Sequence, residues 1–195
     1  MTQSVIRFER ALADFTGAPY VVSTDCCTHA IELCLRLLEI KETRFSTFTY
    51  ISIPMTMKLL GVAYELSATP WKDEYQFLAT PVWDSARCLK PSMYRTGQYQ
   101  CLSFGPGKPL DNVRGGAILL DNREHYERLK AMSYDGREIG LEKWTEQKTF
   151  RRGFHYMMRY EECESAINKL NQYINKGVYE QEYPAYADLR DFDIK

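Results

Sequence analysis

The feature that most constrains this chain is its repeated switch between two hydrophobic periods. Val5, Phe8, Leu12 and Phe15 recur at steps of three and four before Gly17, which predicts an amphipathic helix over 4–16 with a glycine stop. The run PYVVS then reads as a strand, and after TDCCT the helical period resumes through Ile31, Cys34, Leu35 and Leu38. FSTFTYI predicts a strand, IPMTMKLLG a short helix ending at Gly61, VAYELSA a strand, and LATPVWD another that stops at Asp84. YQCLSF and GAILLD are strand-like, REHYERLKAMSY is helical, and a last helix is predicted from about Tyr160 to Asn175. Such alternation buries both patterns when helices cover both faces of a mostly parallel sheet. The expected class is α/β, a three-layer α/β/α sandwich.

Composition limits what this fold can meet. With 45% hydrophobic and 13% aromatic residues in 195, the chain can bury a real core as one domain or one domain plus an appendage. Acidic and basic residues nearly cancel to a net charge of -1, so no broad attraction to nucleic acid or anionic membrane is expected, and small molecules and protein partners are favoured. The opening MTQSVIRFERALADF is not signal-like, and no apolar run approaches the roughly 18 residues of a membrane helix, so a cytoplasmic protein is expected. Cys26, Cys27, Cys34, Cys88, Cys101 and Cys163 lie in apolar surroundings without CxxC spacing; they read as reduced core thiols, and no metal is expected. From about residue 135 the pattern weakens into a polar, loop-rich stretch. The acidic, aromatic tail YEQEYPAYADLRDFDIK is expected to lie against the surface or a partner.

The loop SFGPGKPL holds Lys108 between a glycine-proline-glycine turn and a second proline, directly after the strand-like YQCLSF. It lacks the G-x-x-x-x-G-K-[ST] pattern of a phosphate-cradling loop. A lone turn lysine is ordinarily solvated, Asp84 and Thr28 read alone are helix caps, Ser103 is a strand-end hydroxyl and Tyr50 a core aromatic. Taken together they differ, because ligands of open α/β sheets bind outside the carboxyl ends of the strands. A lysine that can hold an aldehyde as a Schiff base, a carboxylate for a protonated pyridine nitrogen, and hydroxyls at a helix N-terminus for a phosphate are what pyridoxal phosphate chemistry requires.

At this point the chain resembles a known family. FERALADFTGAPYVVSTDCCTHAIELCLRLL, FTYISIPMTMKLLGVAYE, VWDSARCL, CLSFGPGKPLDNVRGGAILLDN and GFHYMMRYEECESAINKL are similar, in order from about residue 7 to 175, to segments of the DegT/DnrJ/EryC1/StrS sugar aminotransferases. The resemblance implies the large domain of the fold type I, aspartate aminotransferase-like pyridoxal phosphate enzymes. It divides the chain into a cofactor-binding large domain at 1–150 and an interface loop, helix and short tail at 151–195. It implies that Lys108 forms the internal aldimine and moves the substrate proton, and that Asp84 pairs with the pyridine nitrogen. Thr28, the amides near Cys27 and His29, and Ser103 hold the phosphate, while Tyr50 stacks on the ring.

Departures from the family pattern carry expectations of their own. Arg87 stands where a glutamine or histidine near the cofactor's phenolic oxygen is usual, and is expected to alter the ring's surroundings or to bind a substrate anion. His29 replaces a small residue beside the phosphate. His155 replaces an asparagine that reaches across the dimer interface, and Met157 an arginine. Typical members are longer and end in a smaller domain that closes the site, so this chain reads as a compacted large domain whose site is completed by another subunit or protein; a homodimer is expected. The implied function is transfer of an amino group from glutamate or glutamine to a keto group of a nucleotide-linked sugar. A non-catalytic or repurposed interaction protein, and another pyridoxal phosphate reaction (decarboxylation, elimination or racemisation), remain alternatives.

Overall fold

The computed structural model describes residues 3–138, 140, 143–179, 182 and 185–194. Helix α1 (Gln3–Thr16) buries Val5, Phe8 and Leu12 along one stripe and stops at Gly17, whose φ of +77° is open to glycine at little cost. Strand β1 (Tyr20–Thr24) leads into α2 (Cys27–Leu37), β2 (Glu42–Ser46), α3 (Ser52–Leu60) and β3 (Ala63–Ser67). The short β4 (Tyr75–Gln76) and β5 (Val82–Asp84) follow, then β6 (Tyr99–Ser103), β7 (Gly116–Leu120), α4 (Arg123–Ser133) and α5 (Tyr160–Lys176).

The central sheet runs β1-β7-β6-β5-β4, and β2 and β3 form a separate parallel pair. β5 pairs with β6 in parallel, whereas β7 is antiparallel to both β1 and β6 and β4 is antiparallel to β5. Three of the five strands therefore share one direction, with β7 and β4 reversed. The alternation of side chains across the pleat makes the layers. Val22, Cys101, Ile118 and Leu120 face a core with Ile31, Leu35 and Leu129 of α2 and α4. Their neighbours Val21, Leu102, Ala117 and Leu119 face Phe8, Leu12, Ala166 and Leu170 of α1 and α5. This is the α/β/α sandwich expected, and α5 packs against α1 within that second core. Each fully buried Leu, Ile, Val or Phe side chain contributes about 1.5–3 kcal/mol.

A buried ion pair also ties the layers together. Lys130 of α4 is 1% exposed and its Nζ donates to Glu9 Oε1 of α1 at 2.6 Å, while the N–H and hydroxyl of Ser23 in β1 donate to the same oxygen at 2.7 and 2.8 Å. All six cysteines are free thiols.

Two strands differ from the sequence pattern. β2 begins at Glu42 and ends at Ser46, because beyond it side chains capture the backbone: Phe48 N–H donates to Ser46 Oγ and the Trp71 indole to Phe48 O. LATPVWD resolves into a turn and then β5. Thr80 Oγ1 donates to Phe77 O at 2.7 Å and accepts from Val82 N–H, with Ala79 at φ +64°.

Candidate functional site

Asp84 ends β5 opposite Cys101 of β6, so the two parallel strands deliver Asp84 and the 104–110 loop at neighbouring positions. The carboxyl is 7% exposed; Oδ1 accepts from Ala86 N–H at 3.0 Å and Oδ2 from the Tyr75 hydroxyl at 2.9 Å, which itself meets Thr49 Oγ1 at 2.6 Å. Burial pushes its pKa above the usual aspartate value, opposed by those two hydrogen bonds and by the positive charges of Lys108 and Arg87. Burial and the Asp84 charge likewise push the Tyr75 phenol up.

Lys108 is held by consecutive turns. Its N–H donates to Gly105 O at 3.2 Å and its carbonyl accepts from Asp111 N–H at 2.9 Å, with Gly107 at φ +71°. Phe104 and Leu110, on either side, are buried in the α1–α5 core. Asn112 locks the loop to α5 by donating to Glu162 O and accepting from the Ser165 hydroxyl. A lysine mounted this rigidly is aimed rather than left to sweep solvent. Its Nζ donates to the Tyr186 hydroxyl at 3.2 Å.

The N-terminus of α2 abuts α3 and β7. Thr28 Oγ1 lies 2.8 Å from Ser52 Oγ at the start of α3. Cys26 caps the helix, its sulfur accepting from His29 N–H at 3.4 Å. Gly116 of β7 is required here, since a Cβ on it would lie 2.5 Å from the backbone of Cys26 and Cys27. The Cys27 thiol is buried and donates to Cys101 O at 3.4 Å; burial first and the Asp84 charge second push its pKa well above the usual thiol value. It is a packed thiol.

The remaining sequence-selected residues divide. Arg87 lies with its Cζ 3.9 Å from the Tyr186 ring centroid and 5.3 Å from that of Trp71, while Tyr50, 57% exposed, has its ring 6.4 Å from Tyr186. Ser103 ends β6 half-buried, paired in register with Gly116. His29 is engaged otherwise: its ring stacks 3.6 Å from Tyr156, and Nδ1 bonds Asp25 Oδ1 at 2.6 Å. Burial opposes its charge, but the hydrogen bonds to Asp25 and Cys26 lift its pKa to about 10. Asp25, Cys26 and His29 offer three ligand atoms within 4.8 Å of one another, yet Asp25 is already committed to His29 and to Arg114, which donates at 2.7 Å. His155 is mostly exposed and pairs with Asp135 at 3.1 Å.

Sequence reasoning missed Tyr75, Trp71 and Tyr186. Tyr75 sits in a short strand without a distinguishing pattern; the aromatic tail signalled a contact but not its target. A cavity of about 240 Å³ is lined by Phe48, Pro70, Trp71, Arg87, Ala185 and Tyr186. Larger clefts of about 490, 540 and 1010 Å³ lie elsewhere, and neither they nor this cavity are lined by Asp84 or Lys108. A buried carboxylate, an amine on a rigidly turned loop near it, a guanidinium and paired hydroxyls at a helix N-terminus form a donor set that fits a cationic ring with an anionic arm.

The model of the DegT/DnrJ/EryC1/StrS aminotransferase family matches residues 1–63 and 92–173. The unmatched stretch between them carries Trp71, Tyr75, Asp84 and Arg87. No curated protein matches the chain by sequence. Among solved structures, a DegT DnrJ EryC1 StrS aminotransferase from Brucella abortus superposes with a TM-score of 0.74 at 15% identity, covering 90% of this chain and 60% of that one. The sugar aminotransferase CalS13 from Micromonospora echinospora gives 0.72 at 16%, covering 89% and 62%. A Bacillus subtilis protein, ntda, solved with the cofactor PMP bound, gives 0.72 at 17%, covering 87% and 48%. The likeness to these structures shows a shared fold, and the chain spans less than two thirds of each one's length. No helix among the described residues is long and apolar enough to cross a membrane.

Proposed function

Because this chain belongs to the DegT/DnrJ/EryC1/StrS aminotransferase family, we propose that it holds pyridoxal 5'-phosphate between Lys108 and Asp84 and transfers an amino group from glutamate or glutamine to a keto group of a nucleotide-linked sugar. When bound, that cofactor supplies an electron sink for charge developing at the substrate carbon. Asp84 holds the positive charge on the ring nitrogen, a task for which a desolvated carboxylate is suited because its partner need not compete with water. Lys108 carries the proton to and from the reacting carbon. Thr28, Ser103 and the first amides of α2 hold the phosphate, Tyr50 covers the ring, and Arg87 binds an anionic group. A second copy completes the site, with His155 at that interface and the exposed Tyr50, Ile51, Met55 and Leu59 around α3 as the apolar face it covers.

The observation that carries this reading is that a buried Asp84 ends β5 while Lys108, in the loop after the adjacent parallel β6, is near enough for its charge to act on that carboxyl. The test is the visible spectrum of the purified chain with pyridoxal phosphate, before and after borohydride, with mass mapping of the modified residue. The expected result is one adduct on Lys108 that Lys108→Ala abolishes; an adduct spread over surface lysines refutes the assignment. One observation favours the alternative of a repurposed, non-catalytic member: an aromatic side chain of the chain's own tail, Tyr186, already contacts both Lys108 and Arg87.

A further inference from the structure

Tyr186 reaches the site from a segment that carries none of the motifs. The tail is pinned just beyond it: Leu189 is buried, its N–H donates to Thr47 O at 3.1 Å, and Thr47 Oγ1 donates to Asp188 Oδ1 at 2.5 Å. Arg190 closes on the same carboxylate, and the Lys58 amine bonds the Ile194 carbonyl. These anchors lie on the exit of β2 and on α3, beside the site. Tyr186, two residues before the first of them, projects into it.

Two of its contacts, Lys108 and Arg87, are residues assigned to the ligand. The hydroxyl accepts from Lys108 Nζ, Arg87 lies over one face with Cζ 3.9 Å from the centroid, and the Trp71 ring stacks at 6.1 Å and 30°. An amine against the ring oxygen, a guanidinium and a stacked aromatic on one phenol form a seat for a planar aromatic bearing oxygen.

We propose that Tyr186 is a built-in occupant that sets what the site admits: its phenol competes with a planar ligand for Lys108, Arg87 and Trp71, so the 185–194 strap must lift before the ligand seats. The proposal rests on the cofactor reading above. The strap is suited to lifting. Ala185 and Ala187 are exposed, Tyr186 is half-buried, and the anchors are a few hydrogen bonds and one buried leucine, the kind of attachment that opens locally without global unfolding.

The experiment uses the full chain, Tyr186→Phe, Tyr186→Ala and Asp188→Ala, the last loosening the strap while keeping the phenol. Without cofactor, brief acetic anhydride labelling with mass mapping reads the accessibility of the Lys108 amine against exposed Lys72. Labelling of Lys108 is expected to rise several-fold in Tyr186→Ala and Asp188→Ala and less in Tyr186→Phe, with Lys72 unchanged. Pyridoxal phosphate titration with borohydride trapping is then expected to half-saturate at several-fold lower concentration in Tyr186→Ala than in the parent. Unchanged Lys108 labelling in both Tyr186→Ala and Asp188→Ala, or capture by Tyr186→Ala equal to or weaker than the parent's, overturns the proposal. Absence of capture in every chain, with Lys108 labelling still raised, overturns the cofactor reading and the competition with it; the labelling then separates that failure from one in which the tail never shielded the amine.

Discussion

Asp84 loses its hydration and keeps two hydrogen bonds, from Ala86 N–H and the Tyr75 hydroxyl. Because burial dominates, its folded pKa lies above the ordinary value of 3.8, so the folded chain keeps a proton that the unfolded chain releases. Stability is then greatest below that ordinary value and falls as pH rises through the folded one, where the ionised carboxylate becomes a cost. Asp84→Asn is therefore expected to raise the urea midpoint at neutral pH and change it less near about pH 4, while weakening capture of pyridoxal phosphate. An equal shift at both pH values would show that burial is not what sets this carboxyl. His29 titrates in a different window: its stabilisation is complete below 6.5 and lost as pH climbs through about 10. Of the site residues selected from sequence, Asp84, Lys108 and Arg87 converge because strand ends and turn residues fix where their backbones go. The partners of His29 and Cys27 were illegible, since a histidine ring or thiol turns toward whichever acceptor the folded chain brings near, here Asp25 and the carbonyl of Cys101.

Elements whose pattern is purely hydrophobic were readable almost to the residue. α1 ends where Gly17 takes a positive φ, and α5 runs one residue beyond the expected Asn175, before Gly177 closes it in the left-handed region. β6 and β7 each alternate between two cores, which long apolar runs announce. β2 was misplaced and β4 unseen, because short strands give few residues to show a period and side-chain bonds decide where they stop. The Glu9–Lys130 pair was also invisible: a lysine on a helix is ordinarily solvated, and only the packing of α4 beside β1 and α1 buries it. Glu9→Gln leaves a buried ammonium without its counter-charge and is expected to cost about 3–5 kcal/mol, read as a lower denaturant midpoint at unchanged slope.

At the scale of the whole molecule, the sandwich leaves one face around α3 apolar and open, with Leu59 71% and Met55 43% exposed. If a second copy covers that face, Leu59→Glu is expected to shift the chain from dimer to monomer in sedimentation equilibrium at micromolar concentration; a parent chain that is monomeric throughout refutes the pairing. The arrangement of layers was determined by the sequence itself, because hydrophobic period is a local property and two faces of a sheet can be covered in few ways. So was the placement of Asp84 at a strand end and of Lys108 in the loop after the next strand, since turn residues act on their own backbone. What only the tertiary structure decided is which groups meet there. The reversal of β7, the burial of Lys130, the commitment of His29 to Asp25 and the seating of Tyr186 over Lys108 all join residues far apart in the chain, and their energies come from desolvation and contact that exist only once the layers have closed.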